Sequence, residues 1–351
     1  MGRKKKEDDD NTKKKSPSDR IKALLQSKFK KGAISTMDEI KDSIPTSTGS
    51  LRLDLALKIP FPAGLHMIYG VQGSGKTTLA LESISEAQAS GRYAVVMYVN
   101  MERAINKSIV ATIEKLETKG ALLAKPQNAE ECGDIIVQTL RALQEDEKAF
   151  IVLDSVAAME PEVVSSNSLS DATIAAEARI VTTMARKINI LAADSESAVI
   201  LINQTRQTIS RFGGGKIRMP GGEALWFYCT QVVFLSISPF PPYGKRVNKE
   251  GTMFGRVVKA EIQKNRFTMP FFSVPLPIYF GKGIDRSYEL AQLLLELDLA
   301  EQNGSWITVE KDNDLGEIKV QGIEQLCEII RDDKKLQSVL RKKIISLYNA
   351  V

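Results

Sequence analysis

The stretch Leu65-His66-Met67-Ile68-Tyr69-Gly70-Val71-Gln72-Gly73-Ser74-Gly75-Lys76-Thr77-Thr78 decides the fold. A short apolar run of strand character stops at a glycine-rich segment, and beyond it Thr77–Ala89 has helical period. Residues 70–77 are a full GxxxxGK[ST] phosphate loop set between strand and helix. Its glycines let the backbone curl so that N–H groups converge on phosphate oxygens at a helix N-terminus, whose dipole favours anions. Lys76 is placed to reach β- and γ-phosphates, and the Thr77 hydroxyl to ligate Mg²⁺. Gly70, Val71, Gln72, Gly73, Ser74, Gly75, Lys76, Thr77 and Thr78 are the expected nucleotide-binding set.

Outward from the loop, short β-rich runs alternate with longer helical stretches, the signature of an α/β fold with a mostly parallel sheet covered by helices. The expected strands are Leu65–Tyr69, Tyr93–Val99, Ala149–Leu153, Ala198–Asn203, Gln231–Ile237, Arg256–Ile262 and Phe272–Tyr279, whose nearly continuous apolar runs suit burial on both faces. Thr77–Ala89, Glu130–Gln144 and Ala172–Ala193 have helical spacing. Ile21, Leu24, Leu25 and Phe29 predict an N-terminal helix over 18–31 with Ser18 as cap. Ser287–Leu299, Trp306–Val309, Ile323–Ile330 and Lys334–Tyr348 predict a small C-terminal α+β unit. The expected organisation is a disordered charged tail over 1–17, a small N-terminal element over 18–48, a phosphate-loop core over 49–283 and a C-terminal unit over 284–351. The tail reads either as a basic arm touching DNA or as a solubilising or targeting segment.

Composition excludes other classes. With 351 residues and 43% apolar content the chain can bury a sizeable core, and a net charge of +5 permits a polyanionic partner without requiring one. Cys132, Cys229 and Cys327 have no metal-ligand or paired spacing, which fits a reducing cytoplasm. No apolar run reaches the length of a membrane span, and no export signal is read at the N-terminus.

Three strand ends carry further chemistry. Ala149–Asp154 is an apolar strand ending in an acid, the pattern of a carboxylate holding the Mg²⁺ water shell. Glu102 follows another strand and should share the ligand-binding edge of the sheet, where a carboxylate orients the water attacking a γ-phosphate; a solvated loop glutamate is the plain alternative. Gln204 ends a fourth strand, where an uncharged amide can sense the γ-phosphate.

Pro45-Thr46-Ser47-Thr48-Gly49-Ser50-Leu51, Met101-Glu102-Arg103-Ala104, Leu153-Asp154-Ser155-Val156-Ala157-Ala158, Ile202-Asn203-Gln204, Gly221-Gly222-Glu223-Ala224-Leu225 and Lys264-Asn265-Arg266 stand in one order and spacing. In this ordered set, from about Ser18 to the C-terminus, the chain resembles the bacterial RecA recombinases, as a divergent bacterial or phage-type member. The resemblance implies a RecA-like core and ATP-dependent homologous pairing and strand exchange by a helical homo-oligomeric filament on single-stranded DNA. It also implies homologous duplex DNA as substrate, with single-strand-binding and loader proteins as partners. Lys76, Glu102 and Gln204 would act in catalysis, Thr77 and Asp154 on Mg²⁺. Lys264 and Arg266 would reach the ATP of the neighbouring subunit. Phe227 would lie at the subunit interface, an ordinary core aromatic being the alternative.

Two loops would carry DNA, roughly Glu162–Thr173 and Thr205–Gly221. The first leads into a helix bearing Arg179 and Arg186, and the second holds Arg206, Arg211, Lys216 and Arg218 around Gly213-Gly214-Gly215. Ile174 and Ile209 take the places of side chains that wedge between bases, with simple packing as the alternative. Several positions depart from the family. Asn100 replaces an acid, Ile109 replaces the aromatic that stacks on adenine, and Pro239–Met253 makes a longer connection. An acidic C-terminal tail is missing, which would remove a brake on duplex binding. His66, inside an apolar strand, reads as structural. A ring-forming RecA-fold helicase shares the loop, the Asp-tipped strand and the DNA loops, and a filament or mediator that binds ATP without hydrolysis is a third reading.

Overall fold

The computed structural model describes residues 16–29, 33–40, 42, 44–160, 173–207, 217–218, 222–240, 242–248, 250–310 and 316–350. They fall into two compact units, 1–43 and 44–351. In the first, the helix Pro17–Lys28 begins one step earlier than expected. Ser16, not Ser18, is the cap: its Oγ accepts from the Asp19 N–H at 3.1 Å, while the Asp19 carboxylate accepts from the Ser16 N–H. Proline at the first helical position favours this start, since the missing N–H had no helical partner.

The second unit is built on a 10-stranded sheet and two smaller ones. Its strands are β1 Gly64–Gly70, β2 Val95–Asn100, β3 Ala121–Ala124, β4 Ala149–Asp154, β5 Ala198–Gln204, β6 Arg206–Gln207, β7 Ile217–Arg218, β8 Gln231–Ser236, β9 Gly244–Val247, β10 Met253–Asn265, β11 Phe272–Tyr279, β12 Gly283–Ile284, β13 Ala300–Asn303, β14 Trp306–Val309 and β15 Ile318–Gln321. The large sheet runs β12-β11-β10-β8-β1-β5-β4-β2-β3, with β9 on β10. Pairings from β8 to β3 are parallel, as expected. Those of β9 to β12 are antiparallel, an extension that the alternation of strands and helices did not foretell.

The parallel strands are apolar throughout because both faces are covered. Ile68, Ile200 and Ile202 pack towards the helix Lys76–Ala89, through Leu79 and Ile84. Leu65, Met67, Val199 and Leu201 pack on the other face, with residues of the helices Ala129–Ala142 and Thr173–Asp194. Within β1 and β5 neighbouring residues thus serve opposite cores, the period of two that a strand imposes. His66 is buried, its Nε2 2.7 Å from the Pro62 carbonyl, and burial lowers its pKa to about 4.

Two features lay outside the expectations. The helix Leu51–Leu57 is capped by Ser50, whose Oγ accepts from the Leu53 N–H at 3.2 Å. Its first turn is held by buried Glu289, which accepts from the Leu51 N–H at 2.8 Å and from the Ser50 hydroxyl. Within Pro239–Met253, expected as a connection, Gly244–Val247 forms β9 and pairs with β10. Its Arg246 side chain, 7% exposed, binds Asp285 at 2.7 Å and Glu324 at 3.2 Å. The guanidinium also lies over the rings of Tyr288 and Phe254 at 3.9 and 4.8 Å, which ties the hairpin to the C-terminal elements.

Those elements are the antiparallel sheet β13-β14-β15 and the helices Arg286–Glu296, Ile323–Asp332 and Lys334–Ala350. Leu290, Leu294, Ile307, Leu326, Ile330, Leu340 and Ile344 form their core, which Leu51 joins. Among the described residues, no helix is long and apolar enough to cross a membrane.

Candidate nucleotide-binding and catalytic site

Four parallel strands deliver the site to one sheet edge. Gly70 pairs in register with Gln204, and Asn100 with Asp154, so β1, β5, β2 and β4 end together and Glu102 follows just beyond β2. This is the edge where ligands bind in parallel α/β sheets. A cavity of about 340 Å³ opens there, lined by Gln72, Gly73, Gly75, Lys76, Thr77, Thr78, Glu102, Asp154, Gln204, Arg256, Val258, Ile278 and Phe280.

Two glycines make the loop possible. A Cβ on Gly70 would lie 2.0 Å from the Leu235 carbonyl oxygen, and one on Gly75 2.2 Å from Ile278 Cδ1, where φ is also +85°. The chain then enters the helix Lys76–Ala89, whose N-terminus no side chain caps, which leaves its first N–H groups for a ligand. Lys76 Nζ donates to the carbonyls of Gly70 and Val71 at 3.2 and 2.8 Å, and Ser74 Oγ to Val71 at 2.8 Å. Burial lowers the Lys76 pKa, with Asp154 and Glu102 opposing.

Thr77 Oγ1 donates to Asp154 Oδ2 at 2.9 Å, and the Tyr98 hydroxyl to the same oxygen at 2.5 Å. Burial raises the Asp154 pKa against these two hydrogen bonds. Among the described residues no group of three or more His, Cys, Asp or Glu could hold a metal by itself. A hydroxyl beside one carboxylate does fit Mg²⁺, which takes few protein ligands and completes its shell with water and phosphate oxygens. Glu102 Oε1 accepts from Ser155 Oγ at 2.5 Å and from the Gln204 side-chain amide, so the two expected γ-phosphate residues are in direct contact.

Lys264 and Arg266 stand elsewhere. Arg256 lines the cavity, and Lys264 is eight residues further along β10, about 27 Å at strand rise. Strict alternation would also put Lys264 on the face of Val258, Ala260 and Ile262, beneath the helix Lys76–Ala89. The register of β10 on β8 slips between Ile262 and Lys264, a bulge at Gln263, whose Oε1 accepts from the Tyr69 hydroxyl. Lys264 Nζ instead donates to the carbonyls of Trp226 and Phe227 at 2.6 and 3.1 Å, and Arg266 to Phe227 at 3.3 Å. Both cations thus cap the C-terminus of the helix Gly222–Tyr228. Burial and the adjacent Arg266 lower the Lys264 pKa. The neighbouring Phe227 is 69% exposed.

Of the expected DNA-binding residues, Arg179 and Arg186 are exposed, two turns apart on the helix Thr173–Asp194, whose first turn contains Ile174. Arg206 and Arg218 pair in register in the β6-β7 ladder. Ile209, Arg211 and Lys216 lie outside the described residues. Asn100 is buried at the end of β2, and Ile109 packs against the sheet core rather than lining the cavity. The residues that the sequence reading missed are Tyr98, Ser155 and the wall Arg256, Val258, Ile278 and Phe280. Tyr98 had a signal, since alternation along β2 sets it on the face of the phosphate-loop helix; nothing local marks Arg256.

The family model described as the RecA N-terminal domain matches residues 19–285. Protein RecA of Porphyromonas gingivalis is 34% identical over 327 residues, covering 91% of this chain and 90% of its own. Protein RecA of Thermus thermophilus is 32% identical over 338 residues, covering 94% of each. A crystal structure of the RadB recombinase aligns with a TM-score of 0.49 at 22% identity, covering 68% of this chain and 98% of that one. With a family match over most of its length and relatives above 30% identity that it covers almost end to end, the chain belongs to the RecA family.

Proposed function

We propose that the chain is a DNA-dependent ATPase that assembles into helical filaments on single-stranded DNA and catalyses homologous pairing and strand exchange. Family membership supports the class, and one observation carries the mechanism: β10 holds Arg256 at the chain's own cavity and Lys264 about 27 Å away, beyond reach of that cavity, with Arg266 just past the strand's end. Cations in such a place serve a phosphoryl group only when a second copy brings its cavity to them. Turnover then requires the filament.

Lys76 and the loop N–H groups bind the β- and γ-phosphates, and Thr77 with Asp154 hold Mg²⁺. Bound there, Mg²⁺ would supply charge neutralisation at the phosphates. Glu102 orients the attacking water and withdraws its proton. Gln204 answers to the γ-phosphate, and because it ends the strand that leads through Thr205 into β6, its movement reaches the Arg206 and Arg218 ladder. Exposed Arg179 and Arg186 supply phosphate contacts to DNA.

The test is Lys264→Ala. It should keep binding of a slowly hydrolysed ATP analogue and lose DNA-stimulated turnover by about 10³-fold or more, as removal of a trans cation does in related phosphoryl transfer. Unchanged turnover removes the trans site. Negative-stain images with single-stranded DNA and the analogue should show helical filaments; closed rings would assign the chain to a ring-forming motor instead.

A further inference from the structure

Arg256 is a cation in the nucleotide cavity that the proposed mechanism does not use. Its Nε is shielded from solvent and has no hydrogen-bond partner among the described residues, and no ion pair holds its guanidinium. A guanidinium nitrogen buried without a partner is costly, and a ligand acceptor is the natural compensation. Its position says which part of a nucleotide it meets. Arg256 pairs directly opposite Ile278 and shares a sheet face with Val258 and Phe280, so these four side chains form one wall of the cavity. Ile278 packs over Gly75 at the start of the loop helix. In sheet order this wall, on β10 and β11, lies on one side of β1, while Gln204, Asp154 and Glu102 lie on the other, on or beyond β5, β4 and β2. A nucleotide with its terminal phosphate among Glu102, Asp154 and Gln204 therefore extends its nucleoside across the loop to the wall, where Phe280 is 48% exposed.

Resting on the nucleotide-binding reading above, we propose that Arg256 is a nucleotide-binding residue acting in cis, whose guanidinium donates hydrogen bonds to acceptor atoms of the nucleoside half, ribose or base edge. A guanidinium only donates, so at the base it suits the O6 and N7 acceptors of guanine better than the N7 acceptor and N6 amino donor of adenine. Arg256 would thus widen the purine range of the site rather than sharpen it for adenine.

Equilibrium titration of the full chain with ADP, GDP and inorganic tripolyphosphate tests this, on wild type, Arg256→Gln and Arg256→Lys. Arg256→Gln should weaken both nucleotides by about 10- to 100-fold, the range for hydrogen bonds to a charged group, with tripolyphosphate unchanged. A larger loss for GDP places the contact at the base edge, an equal loss at the ribose, and both uphold it. Arg256→Lys should restore part of the affinity. The unliganded thermal midpoint should not fall, since the guanidinium has no protein partner to lose. Undiminished nucleotide binding, or an equal loss for tripolyphosphate, overturns the proposal. Failure of wild type to bind any of the three ligands would instead overturn the nucleotide site itself.

Discussion

Glu289→Gln isolates a buried carboxylate that joins the C-terminal elements to the ATPase core. Glu289 is fully enclosed on the helix Arg286–Glu296 and caps the helix Leu51–Leu57 through Ser50 and Leu51. Burial raises its pKa from 4.5 to about 7, over the opposing hydrogen bonds from Ser50 and Leu51, and Asp54 nearby, itself raised to about 6, adds to the effect. At about 1.4 kcal/mol per pH unit, the difference is worth on the order of 3 kcal/mol. Its sign is set by the folded state holding the proton more tightly than the unfolded chain. The stabilisation is complete below pH 4.5 and is lost as pH rises through 7. Glutamine is neutral throughout, and its imperfect capping is a pH-independent cost. Urea melts of both proteins at pH 5 and pH 8 should therefore show the wild type losing up to about 3 kcal/mol relative to the variant. An equal gap at the two pH values would refute the reasoning, because it would mean that the carboxylate ionises inside the fold without cost.

Lys76→Ala should fold, as judged by circular dichroism, yet lose nucleotide binding in titration by 100-fold or more, on the order expected for a charge-assisted phosphate contact. Glu102→Gln should bind ATP and DNA, hydrolyse about 10²- to 10⁴-fold more slowly in a phosphate-release assay, and accumulate long-lived filaments by electron microscopy. Gln204→Ala should bind ATP while its affinity for single-stranded DNA, measured at fixed salt, becomes the same with and without an ATP analogue. A wild-type ratio in that variant would exclude Gln204 as the link.

The parallel half of the sheet was legible in the sequence because burial on both faces leaves unbroken apolar runs, and β1, β4 and β5 carry them. The motif residues were legible for a related reason: a loop that only glycine can close and acids at strand ends are local signals. The helix Leu51–Leu57 was not, since Leu51, Leu53, Leu55 and Leu57 alternate as in a strand. It is helical because Leu53 and Leu57 pack on the sheet core while Leu51 joins the C-terminal core, so both sides of one short helix are apolar. β3 is an edge strand whose Leu122 and Leu123 are exposed, and it has no buried stripe to announce it. Arg256 escaped because its role depends on antiparallel strands added beyond β8, which bring it to a phosphate loop about 180 residues earlier in the chain.

The bulge at Gln263 makes strand parity an address. Everything before it on β10 is delivered by one alternation frame, and everything after it by the opposite frame. A strand that ran on regularly through Gln263, with every charge in the chain unchanged, would place Lys264 and Arg266 on the face already filled by the helix Lys76–Ala89. Neither substitution of the cations nor loss of the helix they cap could have that effect. A frame error of one residue, rather than any change of chemistry, would turn a surface offered to another copy into two charges aimed at an apolar core.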